Sequence, residues 1–169
     1  VEFVSLGHEI TGMGENAGQA PLAVITFLDR DRQWFKAAVG LEVTQTDRSS
    51  GLCSHTIESG EPLVVEDAQE DPRFSSHAVV ASDPYVRFYC GVPVVTTNGY
   101  AVGAIAVMDC VPRRRKETEC LALGRLARQT AALLELRMLR CDRPAIGEVP
   151  VQDEEMIRLM AGSSRSTGL

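Results

Sequence analysis

The sequence predicts an α+β domain on a mostly antiparallel sheet. Three observations carry this: short apolar runs of strand length with polar turns between them, two stretches that read as hairpins, and one long amphipathic helix near the C-terminal end. A chain of 169 residues, 44% hydrophobic, is long enough for one well-cored domain and too short for two ordinary ones.

The elements follow in order. Residues 2–12 allow a short helix with irregular apolar spacing, and Gly12 to Pro21 reads as a loop. Leu22 to Leu28 is a β-rich run, Asp29 to Asp31 a turn, and Gln33 to Val39 a second strand, so the pair reads as a hairpin. A short helix is expected from Ser50 to Ser59, with Ser49 or Ser50 as N-cap and Gly60 as the stop. PLVVEDA is a short strand ending on an acid, followed by a loop with one or two helical turns, where Asp71 suits the N-cap and Pro72 the first turn.

Arg87 to Thr96 and Ala101 to Cys110 are two long strands joined by TTNGY, whose Asn98-Gly99 is a strong hairpin signal. Lys116 to about Leu139 is a helix with Leu123, Leu126, Ala127, Thr130, Leu133, Leu134 and Arg137 on one stripe. From Cys141 on, the chain reads as a linker or disordered tail with one helical turn at EEMIRLM, so a single domain over 1–140 and a tail over 141–169 are expected.

Charge and composition exclude several classes. A net charge of −6, with no dense Lys/Arg stretch interleaved with aromatics, argues against a nucleic-acid partner. The apolar runs LAVITFL and AVGAIAVM are 7 and 8 residues long, well short of the roughly 20 that cross a bilayer, so no membrane partner and a soluble chain are expected. No secretory leader is visible, and a chain starting at Val is expected to be trimmed or part of a longer protein. Five scattered cysteines without a CxxC pair suggest neither a complete disulfide framework nor a zinc site, which fits a reducing, cytoplasmic compartment.

Candidate site residues come from strand and helix geometry. Alternation places Trp34 with Lys36 on one face and Phe35 with Ala37 on the other, so Trp34 either covers a hairpin edge or forms a pocket rim with Lys36 as a cation. Cys53 and His55 stand two apart, about 200° around a helix, so they make no common metal face; Cys53 reads as a small buried hydrophobe and His55 as a hydrogen-bonded histidine, or both as pocket residues. His8, His55 and His77 never recur at ligand spacing, so no metal is expected, and no cofactor is assigned. Asp67 ends an apolar strand and could face a pocket, whereas Glu70 and Asp71 read as loop and cap residues. Arg87 and Tyr89 share a strand face and together would suit a carboxylate or phosphate.

The blocks DRDRQWFKAAVGL, GLCSHTI, PLVVEDAQEDPRF, VRFYCGVPVVTTNGYAVGAIAVMD and LARQTAALLELR, spread over residues 22–137, together resemble the GAF domain of bacterial sensor kinases and cyclic-dinucleotide enzymes. The resemblance implies a PAS-related central antiparallel sheet of five to six strands, with terminal helices on one face and a ligand pocket on the other. Members bind cyclic nucleotides, haem, bilins or small metabolites, or serve as dimerising spacers. The Asn-Lys pair of the cyclic-nucleotide binders is missing, and no Cys is followed by the His that bilin attachment uses. The family's enzymatic branch, the free methionine-R-sulfoxide reductase, is matched at Cys53. Ala78 to Asp83, where its nucleophile block would lie, has no Cys, and only Asp109 remains of its acidic pair, with Val107 in place of the other.

The resemblance therefore points to a non-catalytic sensory or regulatory domain that binds an unidentified small molecule or dimerises, controlling an effector in the same chain or a partner protein. A reductase-like thiol enzyme and a ligand-free dimerisation module are the alternatives. Leu126, Leu133 and Leu136 exceed a narrow core stripe and are candidates for packing against a second copy. The basic run Arg113 to Lys116 opposes the helix macrodipole and reads as solvated loop.

Overall fold

The structure, a computed structural model, describes residues 22–42, 44–48, 51–114 and 117–141. The expected helix at 2–12, the loop before Pro21, the capping serines Ser49 and Ser50 and the tail with EEMIRLM lie outside the described residues. Two compact units are distinguished, Val1–Ala131 and Ala132–Leu169.

Six strands form one sheet: β1 (Leu22–Leu28), β2 (Arg32–Val39), β3 (Gln45–Asp47), β4 (Leu63–Val65), β5 (Phe88–Val95) and β6 (Ala101–Asp109). Their spatial order is β3-β2-β1-β6-β5-β4, and every neighbouring pair is antiparallel. The helices are α1 (Leu52–Ser59), α2 (Ala78–Ala81) and α3 (Glu117–Cys141). No helix among the described residues is long and apolar enough to cross a membrane.

The three central strands, β1, β6 and β5, are buried almost throughout. Leu22, Val24, Tyr89, Ala104, Ala106 and Met108 join Leu52, Cys53 and Ile57 of α1, and Phe74 from the loop after β4, in one core cluster. By strand alternation Ile25, Cys90 and Ile105 point to the opposite face, where Cys90 meets Cys120 of α3. Along α3, within the first unit, the stripe Leu123, Leu126, Ala127, Thr130 and Ala131 is buried at the 3.6-residue period.

The first hairpin forms as expected, closed by Asp29 N–H donating to the Arg32 carbonyl at 2.9 Å. Its alternation departs from expectation. Ile25 pairs with Ala37 and Thr26 with Phe35, so Lys36 has no opposite residue and forms a β-bulge. The bulge reverses the faces beyond it. Phe35 shares the core face with Ala38, both packed against the cluster, while Ala37 turns to the other side.

The second hairpin also forms, with a longer turn than Asn98-Gly99 alone implies. Thr96 N–H donates to Tyr100 O at 2.9 Å and Gly99 N–H to Thr96 O at 2.8 Å, and only Gly99 takes a positive φ, +83°. This is a three-residue loop with its left-handed residue last, the place where glycine is favoured. Helix α1 is capped at its N-terminus by Gly51 rather than a serine, with no side-chain cap, and stops at Gly60 in the left-handed conformation. Asp71 caps the turn after it as expected, its Oδ1 accepting from Arg73 N–H at 3.0 Å. Strand β3 was not expected; Gln-Thr-Asp carries no apolar alternation and pairs only along the margin of β2.

Gly103 of β6 lies against β1 so closely that a Cβ there would sit 2.2 Å from the Thr26 carbonyl oxygen, a backbone atom that cannot swing away. Gly103→Ala is expected to destabilise the domain by about 2 kcal/mol or more, read as a lowered urea midpoint with unchanged slope.

Candidate functional site

Helix α1 brings a patch of polar side chains onto the apolar face of the sheet. Thr26 of β1, Gln33 of β2, Cys53, Ser54 and Thr56 of α1, and Tyr89 of β5 are each 5% exposed or less. Buried polar groups are costly unless paired; here Ser54, Gln33, Thr56 and Tyr89 pair internally, whereas the Thr26 hydroxyl has no hydrogen-bond partner among the described residues. The Thr56 and Tyr89 hydroxyls are 2.7 Å apart. The Ser54 hydroxyl donates to the Arg48 carbonyl and reaches Gln33 Oε1 at 3.4 Å. Tyr89 folds back along its own strand over Gly91, where a Cβ would stand 2.1 Å from the phenol oxygen. None of the six side chains carries a formal charge at neutral pH.

Burial decides the protonation of this patch. It pushes the Cys53 thiol up, and the neighbouring side chains of Tyr89, Thr26 and Gln33 offset this only in part. The Tyr89 phenol is pushed well up, again first by burial. Both therefore stay neutral, and a buried neutral thiol is a poor nucleophile.

The remaining expected site residues are placed elsewhere. His55 is exposed on the outer side of α1, opposite Cys53, as their spacing requires. It meets Phe74 edge-on at 5.0 Å and His77 at 5.5 Å. Among the described residues no group of three or more His, Cys, Asp or Glu could hold a metal ion. Trp34 pairs across the hairpin with Phe27, on the face away from α1, with the Lys36 ammonium 5.3 Å from its ring centroid.

Arg87 does not join Tyr89. It precedes the first residue of β5, and its guanidinium turns to Asp67, with Nε donating to Oδ1 at 2.7 Å and Nη2 to Oδ2 at 2.5 Å. The Arg87 fork is the main reason the Asp67 pKa is lowered. An open cleft of about 600 Å³ adjoins this pair, lined by Glu66, Asp67, Glu70, Asp71, Pro112 and Arg113 among others. Its charges are already matched in part: Asp71 pairs with Arg73, and Arg113 with Asp109. On α3, Leu126 is buried, Leu133 half-buried and Leu136 53% exposed.

Gln33, Thr26, Ser54 and Thr56 did not stand out in the sequence. Thr56 stands three after Cys53, on the stripe of α1 that also carries Leu52, and Gln33 shares a strand face with Phe35; polar residues on apolar stripes were the available signal.

Comparison with known proteins agrees with this architecture. The profile of the GAF domain family matches residues 4–134. The chain belongs to the GAF domain family. A curated relative, a cyclic di-GMP phosphodiesterase of Pseudomonas aeruginosa, is 37% identical over 128 residues, which is 76% of this chain and 20% of that protein. The chain thus spans about a fifth of the relative's length. Among solved structures, a type II free methionine-R-sulfoxide reductase from Thermoplasma acidophilum superposes with a TM-score of 0.62 at 18% identity, covering 78% of this chain and 92% of that one. A methyl-accepting chemotaxis protein fragment gives 0.62 at 16% identity, covering 81% and 89%. Likeness at such identity speaks for the fold, and the GAF fold hosts many functions.

Because the Arg87 pairing holds the Asp67 pKa down, its stabilising effect is complete above the ordinary carboxylate pKa of about 4 and fades as pH falls through the depressed value. Asp67→Asn is expected to lower the urea midpoint at pH 7, with the gap to the parent protein narrowing as the pH falls below the ordinary carboxylate value of about 4.

Proposed function

We propose that this GAF domain is a non-catalytic regulatory module that takes a small, neutral, polar molecule between α1 and the sheet. Its occupancy would control a signalling effector, in the same chain or in a partner, whose activity is of the cyclic di-GMP phosphodiesterase kind. The observation that carries the reading is the buried neutral patch of Thr26, Gln33, Cys53, Ser54, Thr56 and Tyr89 within an otherwise apolar core. Packing alone favours apolar side chains there, and the Thr26 hydroxyl, buried without a hydrogen-bond partner among the described residues, leaves a polar group for a ligand to meet.

The charge of the patch narrows the ligand. With its guanidinium held by Asp67, Arg87 does not stand beside Tyr89 to meet a carboxylate or phosphate, so the anionic ligand expected from the strand pattern gives way to an uncharged one. The effector assignment follows the 37%-identical phosphodiesterase, in which the matched region is one part of a longer chain. Against the thiol-reductase alternative stand the depth of Cys53 and its raised pKa. Ligand binding would act by favouring one of two arrangements of the domain, through its differential affinity for them.

Native mass spectrometry of the purified chain tests the reading. The expected result is a reproducible added mass, lost on denaturation, that Arg87→Gln leaves in place and Gln33→Leu removes while the melting temperature shows the variant still folded. An added mass lost in Arg87→Gln and kept in Gln33→Leu would overturn the neutral site.

A second role, self-association, is favoured by Leu121, Leu136 and Leu139 of α3, which are 61%, 53% and 67% exposed. We infer a homodimer paired through α3. Leu136→Glu is expected to shift the sedimentation coefficient from dimer to monomer without lowering the melting temperature; a parent chain that is monomeric at high concentration would refute it.

A further inference from the structure

Two thiols meet on the face of the sheet away from α1. Cys90 lies in the middle of β5, 1% exposed, and Cys120 lies in the first turn of α3, partly exposed. Their Sγ atoms are 3.2 Å apart although the residues are 30 apart in sequence. A disulfide needs about 2.05 Å between sulfurs, so closure asks for little more than an ångström of movement. The two sides are unequally held. β5 is paired on both margins, by β4 and β6, whereas Cys120 sits close to the start of a helix. The other described thiols are engaged elsewhere: Cys53 stands in the polar patch on the opposite face, and the Cys110 thiol donates to the Pro84 carbonyl at 3.0 Å.

We propose that Cys90 and Cys120 are a redox-responsive pair, closed by a hydroperoxide into a reversible disulfide that ties the start of α3 to the centre of the sheet. Cys120 is the accessible partner and reacts first. Its thiolate sulfur attacks a peroxide oxygen, the O–O bond breaks, and the leaving hydroxide takes up the thiol proton as water, giving a sulfenic acid when the oxidant is hydrogen peroxide. The Cys90 sulfur then attacks the Cys120 sulfur, the S–O bond breaks, and a second water leaves with the Cys90 proton. Two thiols are oxidised by two electrons and one hydrogen peroxide is reduced to two waters. A dithiol such as dithiothreitol reverses the bond by exchange.

In the reduced state noncovalent contacts, the thiol–thiol contact among them, hold the first turn of α3 against β5; in the oxidised state a covalent bond does. A helix end is where a chain frays most readily, so the bond acts where its effect on the helix is largest. This regulation does not depend on the small-molecule reading. It assigns a role to two cysteines that share no motif and that only the fold brings together.

The test uses a Cys110→Ser, Cys141→Ser chain, which leaves Cys53, Cys90 and Cys120 as its thiols. Hydrogen peroxide is added at a dose that fully oxidises a model cysteine peptide under the same conditions. The expected result is a loss of about 2 Da, a non-reduced proteolytic fragment joining Cys90 to Cys120, and recovery of both thiols with dithiothreitol. Amide exchange within residues 118–124 is expected to slow roughly tenfold in the oxidised form. Adding Cys120→Ser should abolish the crosslink; since that variant could fold differently, the fragment map of the parent decides. Three unmodified thiols after treatment, a crosslink to Cys53, or a crosslink without slower exchange at the helix start would each overturn the proposal.

Discussion

Everything else in this domain depends on the central strands β1, β6 and β5 being covered on both faces. Antiparallel sheets commonly leave one face to water and then alternate apolar with polar residues. Here LAVITFL and most of FYCGVPVV are buried without a break, so each face needs its own cover. Helix α1 and the loop carrying Phe74 supply it on one side, and on the other Cys90 meets the start of α3. Two chemically distinct layers result. One holds neutral hydroxyl, thiol and amide groups, and the other holds a pair of thiols in an apolar setting.

The six side chains of the polar patch carry no formal charge, and three ion pairs gather at the ends of the strands. Asp67 and Arg87, Asp71 and Arg73, and Asp109 and Arg113 are paired in the segments that follow β4, precede β5 and follow β6. These segments are also joined by backbone bonds, from Ala68 N–H to Arg87 O at 2.6 Å and from Arg87 N–H to Asp109 O at 2.8 Å. A fork between planar guanidinium and carboxylate sets direction as well as distance, so Arg87 is aimed along the margin and away from the core. That is why a residue two before Tyr89 in sequence lives in a different environment.

How much could be read beforehand follows from which forces are local. Both hairpins, the α1 segment with its Gly60 stop and the long C-terminal helix were legible, because turn residues and periodicity report on their own neighbourhood. The bulge at Lys36 was not. Alternation assumes an unbroken register, and one extra residue carried Ala37 off the face of Phe35. Strand β3 was missed because three polar residues hold their place only through the margin of β2. At the site, Cys53 and Tyr89 were seen as residues but not as neighbours, and Gln33 was passed over because a lone amide in a strand carries no signal until its surroundings are known. The pairing of Cys90 with Cys120 depends on how β5 meets α3, which spacing along the chain does not encode.

The outermost strands have a consequence of their own. β3 and β4 are three residues long, and β3 consists of Gln45, Thr46 and Asp47. A long bare margin is a template on which another polypeptide can add a further strand, and short polar margins are a way proteins suppress that. Among the described residues, the sheet ends at both margins in such short strands. Many copies can therefore be crowded together, or strung along one polypeptide, without their ladders running on from one copy into the next.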